Sequence, residues 1–446
     1  MTAAPPLTTG VVPLSPAKRR KAIVGGTIGN FVEWFDNTTY AAQAVIIGSL
    51  FFTGNAAGGI IATFGVYFIS FIFRPIGGMI FGAIGDRYGR KVTLGFSLLL
   101  MGVATACLGL LPTSAQVGAL APVLLLLVRC IQGIAIGGEL GLAAVFLGEH
   151  AEPRKRGTVT SLVNVGGWLG TGSAIGLVTL LHGMLGTEAM YEWGWRLTFL
   201  VALPLALVGL YIRLSLDDTA EFMAMQAKGK ANKEKGKLAK AWKTSKKGMF
   251  IIFMVGGANS AFTFFFAAYL LTHMQTTAGI EPGTALLTNT IAVFFGAVPT
   301  VLMGMLSDKI GRRTQLIIAM IVLGAAVIPT LMIIGSTQNF AVILIVQMVF
   351  VSFVPMISAV LMPLCVELFA PDIRTSAAGM ASAAGGGLFG GGVPFISASL
   401  VKATGSPLSP AIFLISLAVA VLLVAVFMLK ESAPSIVGEK EAVAAE

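Results

Sequence analysis

The stretch SFIFRPIGGMIFGAIGDRYGRK, residues 70–91, decides how the rest of the chain is read. Its first half is an apolar helix carrying one cation, Arg74. Its second half, Gly85-Asp86-Arg87-Tyr88-Gly89-Arg90-Lys91, is a polar turn where that helix must leave an apolar medium. At the α-helical rise, Arg74 lies about 16 Å above Gly85. That is roughly the middle of a hydrocarbon core about 30 Å thick. A guanidinium at that depth costs several kcal/mol unless it faces a cavity or a partner, so Arg74 marks an intramembrane site.

Composition agrees. Of 446 residues, 56% are hydrophobic and 11% charged, with a mean hydropathy of +0.88. This excludes an ordinary soluble domain. The net charge of +10 comes from Lys and Arg in short loops between apolar spans. It is read as positive-inside topology with contact to anionic lipid, not as nucleic-acid binding. Cys107, Cys130 and Cys365 are far apart in apolar segments, and His150, His182 and His273 have no ligand spacing. No disulfide framework, metal site or cofactor is expected. Glu33 and Asp36 make the first apolar span a poor signal-peptide core, so it is read as a retained helix.

Twelve spans are expected, at 22–52, 60–84, 92–111, 121–148, 157–181, 195–214, 248–274, 284–306, 314–334, 340–369, 373–401 and 408–430. The loops after the even-numbered spans hold Arg87/Arg90/Lys91, Arg154/Lys155/Arg156, the lysines from Lys228 to Lys247, Lys309/Arg312/Arg313, and Arg374. Those after spans 1, 3, 5, 7 and 9 hold no Lys or Arg, only acids such as Glu188, Glu192 and Glu281. That alternation places both termini in the cytoplasm. The expected division is a tail over 1–21, a six-helix bundle over 22–214, a polar linker over 215–247, a second bundle over 248–430 and a tail over 431–446. The linker is read as a solvated segment touching lipid headgroups, with a regulatory role as the alternative.

The halves are related. Gly304 to Arg313 repeats Gly82 to Lys91 at an offset of 222 residues, and Glu367…Arg374 repeats Glu149…Arg156 at 218. Two repeats at nearly one offset indicate duplicated six-helix units, the architecture of transporters with a site between parallel halves.

The turn from Gly82 to Lys91, in the form G-x-x-x-D-R-x-G-R-K, resembles the signature loop between helices 2 and 3 of the major facilitator superfamily. Phe71-x-x-Arg74-Pro75-x-Gly77 and Gly29-Asn30-x-x-Glu33-Trp34-Phe35-Asp36 narrow the resemblance to its metabolite:proton symporters, which carry organic acids and small zwitterions. Asn37, where that family usually has an aromatic residue, and Ala41, where it usually has glycine, depart from the pattern. The fold implied is an all-α membrane protein of twelve transmembrane helices in two pseudo-symmetric bundles. The function implied is proton-coupled import of a small organic acid by alternating access, in a bacterial inner membrane, by a monomer. A symporter of zwitterionic osmolytes such as betaine or proline is the alternative, and a drug exporter is less well supported. An enzyme would need a nucleophile or metal constellation, and none is visible.

Glu33 and Asp36, three residues apart, share a helix face near mid-membrane. Two carboxylates in low dielectric resist double ionisation, which suits a proton carrier. The alternative is a structural pair neutralising Arg74 or Arg129. Arg74 is the candidate for pairing with a substrate carboxylate, since a guanidinium matches it bidentately, with Tyr67 on nearly the same face. Its alternative is a counter-ion to Glu33 or Asp36. Arg129-Cys-Ile-Gln132-Gly133 resembles the superfamily's helix-4 motif, which implies proton coupling for Arg129; Glu139 is a second candidate on that helix. Gln132, Asn164, Trp168 and Asn259 are further ligand candidates, and the amides Asn164, Asn259, Asn289 and Gln347 are each read either as ligand contacts or as helix cross-links. Resemblance implies a gate built from Asp86, Arg87, Arg90, Asp308, Arg312 and Arg313, in which the acids meet neighbouring arginines and a helix N-terminus of the other half. Glu149 with Arg156, and Glu367 with Arg374, are expected to add to it. The glycines of helices 4, 5 and 11 form small faces for close packing, on which halves can rock.

Overall fold

The computed structural model describes residues 16–88, 90–137, 151–214, 242–370 and 373–443. Among these, helices occupy the twelve expected spans in the expected order. α1 runs Pro16–Ala42 and continues as Ala44–Phe51. α2 comprises Ala56–Ile72 and Arg74–Tyr88, α3 is Arg90–Leu110, and α4 includes Leu120–Gly137. α5 begins the stretch Arg156–Ala189, and α6 ends in Ala202–Leu214. α7 covers Lys246–Phe264, a π-helical turn at Phe265–Tyr269, and Leu270–Thr276. α8 is Pro282–Ile310, α9 is Arg312–Ser336, and α10 joins Phe340–Phe353 to Pro355–Glu367. α11 joins Arg374–Gly385, a π-helical turn at Gly386–Gly391, and Gly392–Thr404, and α12 is Pro410–Phe427. A short α13, Pro434–Val443, follows where a plain tail was expected.

Local chemistry explains the interruptions. Pro75 has no N–H to donate, so α2 breaks at Phe73, immediately before Arg74. α1 breaks at Gln43, whose side-chain amide bonds back to the Thr39 carbonyl at 3.3 Å and to the Thr198 hydroxyl at 2.6 Å. The loop expected between α5 and α6, with Glu188 and Glu192 in it, is absent. Gly186 alone turns the chain, at φ 78°, and residues 187–194 are already helical or π-helical. Only glycine adopts that φ without strain.

The two halves pack alike. In the first, α1 lies on α5, α2 on α4 and α3 on α6; in the second, α7 lies on α11, α8 on α10 and α9 on α12. These are equivalent pairs under the sequence duplication. Between halves, α5 packs along α8 and α2 along α11, again an equivalent pair, with α1 against α7 and α5 against α10. The outer surface carries exposed Leu110, Met184, Val298, Ile345 and Phe427, a belt suited to acyl chains.

The glycines divide between two jobs. A Cβ on Gly166 or Gly170 would meet the backbone oxygen of Thr27 or Phe31 at 2.2 Å; on Gly133, that of Ser70 at 2.0 Å; on Gly385, that of Phe253 at 2.0 Å. These are contacts inside one half, so these glycines weld helices. Gly172, Gly391 and Gly304 face the other half instead, against Phe294, Phe71 and Gly157. Of the glycines expected on helices 5 and 11, Gly172, Gly176, Gly387 and Gly391 are the kind that could line a sliding surface, since they face the other half.

Candidate functional site

The first-half charges form two separate groups. Helix periodicity gives Glu33 and Asn37 one stripe of α1, and Asp36 and Tyr40 the next. The first stripe meets α2. Arg74, 6% exposed, donates from Nη2 to Asn37 Oδ1 at 2.9 Å, and its Nη1 stands 3.7 Å from Glu33 Oε1. The Phe71 ring lies 3.7 Å beneath the guanidinium. Arg74 Nε has no hydrogen-bond partner among the described residues.

The second stripe meets α3 and α4. The Asp36 carboxylate accepts from the Thr105 hydroxyl and, at 2.5 Å, from Gln132 Nε2. Gln132 also donates to Thr105 Oγ1 at 2.7 Å and accepts from Arg129 Nη1. The Arg129 guanidinium lies 3.6 Å over the Tyr40 ring. Asp36, Thr105, Arg129 and Gln132 are all buried. The expectation that Glu33 and Asp36 work as one carboxylate pair is therefore corrected: each goes to a different arginine's neighbourhood. Gln132, expected among the ligand contacts, belongs to the Asp36 group and is wholly enclosed. Thr105 carried no motif and was missed; only its partners across two helices reveal it.

A third group lies between the halves. A cavity of about 30 Å³ is lined by Asn30, Trp34, Asn164 and Trp168 from the first half and Asn259, Thr263 and Ser358 from the second. That is room for about one or two waters. Asn164 Nδ2 has no partner among the described residues. Asn164, Trp168 and Asn259 thus line one space, and Arg74 and Tyr67 do not line it. Phe264 of α7 sits against Trp34, Tyr67 and Phe71, at ring-centroid distances of 5.2, 5.8 and 5.4 Å. Phe264 lies next to the π-helical turn of α7, a kind of irregularity concentrated at functional sites. It was not anticipated, because one phenylalanine among many in an apolar helix carries no sequence signal.

Asn289 and Gln347 cross-link helices. Asn289 Nδ2 donates to Gln347 Oε1 at 3.0 Å, and Gln347 Nε2 to Thr288 Oγ1 at 3.0 Å, all within the second half.

The halves close on both sides of these groups. On the face bearing the basic loops, Asp308 at the end of α8 caps α5 of the other half. Its carboxylate accepts from the Gly157 and Thr158 amides at 2.9 and 2.8 Å and from the Thr158 hydroxyl at 2.8 Å. Arg312 reaches Asp308 at 2.9 Å and Glu367 at 3.4 Å, and Arg156 of the first half stands 4.0 Å from Glu367. The expected Glu367–Arg374 pairing is thus replaced by Glu367 with Arg312 and Arg156. Arg374 bonds the Phe369 carbonyl at 3.3 Å, and Arg313 the Ala425 and Val426 carbonyls at 3.2 and 2.8 Å; both are contacts within the second half. The segment after α12 joins this cluster. Glu431 accepts from the Arg312 and Arg313 amides at 2.8 and 3.1 Å, and the Ser432 hydroxyl donates to Glu367 at 2.6 Å. Glu139 and Glu149 lie outside the described residues, and for Asp86, Arg87 and Arg90 the helical backbone alone is described. On the opposite face the Thr179 and Thr290 hydroxyls meet at 2.8 Å, and Phe68 stacks with Phe395 at 6.3 Å. Among the described residues, the two halves thus touch on both faces.

Comparison with known proteins agrees with this architecture. The model of the sugar (and other) transporter family matches residues 22–434. The chain is 32% identical over 437 residues to a glycine betaine/proline/ectoine/pipecolic acid transporter of Dickeya dadantii, covering 94% of this chain and 85% of that one. It is 33% identical over 394 residues to an alpha-ketoglutarate permease of Escherichia coli, covering 86% and 88%. Among solved structures it superposes on a D-xylose-proton symporter with a TM-score of 0.74 over 93% of this chain and 98% of that one, at 16% identity, which speaks to the fold. The match over residues 22–434 and the paired helices leave one assignment: this chain is a multi-pass membrane transporter of the major facilitator superfamily, belonging to the sugar (and other) transporter family.

Proposed function

We propose that the protein is a proton-coupled symporter that imports a small carboxylate-bearing solute, an organic acid first, across a bacterial cytoplasmic membrane, with both termini inside. The observation that supports this most is the state of Arg74. Among the described residues, this buried guanidinium has one neutral acceptor, Asn37, a loose pairing with Glu33 and no partner at Nε, an arrangement suited to receiving a carboxylate.

Charge arithmetic suggests how the proton enters. Glu33 and Arg74 together are neutral. When Glu33 takes a proton and a substrate carboxylate pairs with Arg74, the loaded site is again neutral and can be enclosed without a bare charge. One proton then accompanies one carboxylate. Asp36, Gln132, Thr105 and Arg129 form a second buried group beside the first. The cavity is too small for the solute, so Phe264 and Trp34 must part for it to reach Arg74 from the polar amides of the centre.

A second reading is favoured by the same aromatic cluster. Trp34, Tyr67, Phe71 and Phe264 present ring faces of the kind that attract a quaternary ammonium. A zwitterion could place its carboxylate on Arg74 and its cation among these rings, and several similar proteins are named proline/betaine transporters.

Proteoliposomes with an internal pH dye test both. Internal acidification on adding succinate or 2-oxoglutarate supports the organic-acid reading; acidification only with proline or betaine supports the zwitterion. Arg74→Gln should abolish either, and its retention of uptake would sink Arg74 as a ligand. Glu33→Gln separates the readings. An anion should still exchange, without proton drive, whereas a zwitterion should lose the carboxylate that balances its cation and fail to bind.

A further inference from the structure

Asn37, one turn after Glu33 on α1, has a defined place. It is 3% exposed, and it gives Arg74 a hydrogen bond of 2.9 Å. Its own orientation is locked, because Nδ2 donates to the Glu33 carbonyl one turn back at 3.1 Å. Turning the amide over would set its N–H groups against a guanidinium that has only donors, so Oδ1 must face Arg74.

A neutral acceptor at this point does something a carboxylate cannot. It fixes the guanidinium without cancelling its charge. Among the described residues the carboxylate paired with Arg74 is that of Glu33, at 3.7 Å, an ionic contact too long for a hydrogen bond. Arg74 is therefore placed by Asn37, balanced at a distance by Glu33, and left with Nε free of any partner among the described residues. The ring of Phe71 covers one face of the plane, so a ligand carboxylate must approach at the guanidinium edge.

We infer that Asn37 is a positioning and specificity residue: it holds Arg74 open for the carboxylate of the transported solute, and its neutrality sets which ligand charge the site accepts. This rests on Arg74 being the ligand-binding cation. An acid at position 37 would form the pair with Arg74 that the solute otherwise forms. It would penalise an anion more than a zwitterion, whose cationic end it attracts.

Asn37→Asp is nearly isosteric and tests this. Uptake of radiolabelled 2-oxoglutarate, proline and betaine is measured at saturating and limiting concentration. Asn37→Asp should raise KM for 2-oxoglutarate about tenfold, and for proline and betaine by less, while the maximal rate changes little, because a charged competitor is worth one hydrogen bond to a charged group. KM equal to that of the native protein, with Arg74→Gln inactive, overturns the role of Asn37 alone. Native KM in Arg74→Gln overturns the ligand reading and this inference with it. A ligand-free measurement decides the matter even where none of the three solutes is carried. Asn37→Asp is made with Arg74 present and with Arg74→Gln, and melting is followed in detergent. With Arg74 present the acid is paired and tolerated. In Arg74→Gln it is a bare buried charge and should lower the midpoint by about 3 °C or more. Equal shifts in both backgrounds would show that position 37 does not engage Arg74, and would refute the inference.

Discussion

Replacing Asp308 by Asn should unlatch the face that carries the basic loops. The substitution keeps the volume but removes the charge and one of the two acceptor oxygens. In the closed arrangement that carboxylate accepts three hydrogen bonds from the other half, two from the Gly157 and Thr158 amides and one from the Thr158 hydroxyl. Hydrogen bonds to a charged group contribute about 1.5–3 kcal/mol each. The N-terminus of α5 adds its dipole, about 0.3–1 kcal/mol for a charge placed there. An Asn oxygen can still accept from one side, and in the open state water replaces the lost partners. A net loss of about 2–4 kcal/mol from the closed state is therefore reasonable. That corresponds to a shift of roughly 30- to 1,000-fold towards opening on this face. Arg312 remains held by Glu367 and Ser307, at 3.4 and 2.8 Å, so α9 is not set adrift. Spin labels at Arg154→Cys and Lys309→Cys, both exposed positions on opposite halves, would report the change as a longer distance by double electron–electron resonance. The native cysteines Cys107, Cys130 and Cys365 are first replaced by Ser. A distance distribution identical to that of the parent, without substrate, would refute the latch and leave Asp308 with a purely local role.

Two further predictions follow from contacts already described. Gly133→Ala places a Cβ 2.0 Å from the Ser70 carbonyl oxygen, a backbone atom that can yield only if α2 and α4 part. Overpacking of this kind costs about 1–3 kcal/mol, so the detergent melting midpoint should fall, and an unchanged midpoint would mean that these helices are not in backbone contact. Glu431→Ala removes the acceptor of the Arg312, Arg313, Ser432 and Ala433 amides. Loss of a cap costs about 1 kcal/mol, and faster hydrogen exchange across residues 431–438 should reveal it; exchange at the native rate would argue against the cap.

Much of the fold was legible in residues 70–91 and their repeat. Apolar run length and loop charge are local properties, and a bilayer demands both along every span, so the order of helices and the alternation of faces follow from the chain itself. The duplication at nearly one offset carried the pairing of helices within each half. Where the chain misled, the missing quantity was local backbone freedom: one glycine, Gly186, does what a loop of a dozen residues was expected to do.

The site was legible by residue type and not by partnership. Depth and charge singled out Glu33, Asp36, Arg74 and Arg129, because a charge in hydrocarbon is costly wherever it sits. A separation of three residues on α1 could not say that Glu33 would face Arg74 while Asp36 would face Thr105 and Gln132. That choice depends on which neighbouring helix stands at each side, separated by tens of residues in the chain. The same holds for Glu367, whose partners are Arg312 and Arg156, and for Phe264, whose three ring contacts come from the other half. The sequence by itself determined that this protein spans a membrane twelve times, is built twice over and buries charge in its first half. Only the tertiary structure decided which charges meet, because side-chain pairing is settled by the few ångströms between packed helices and not by spacing along one of them.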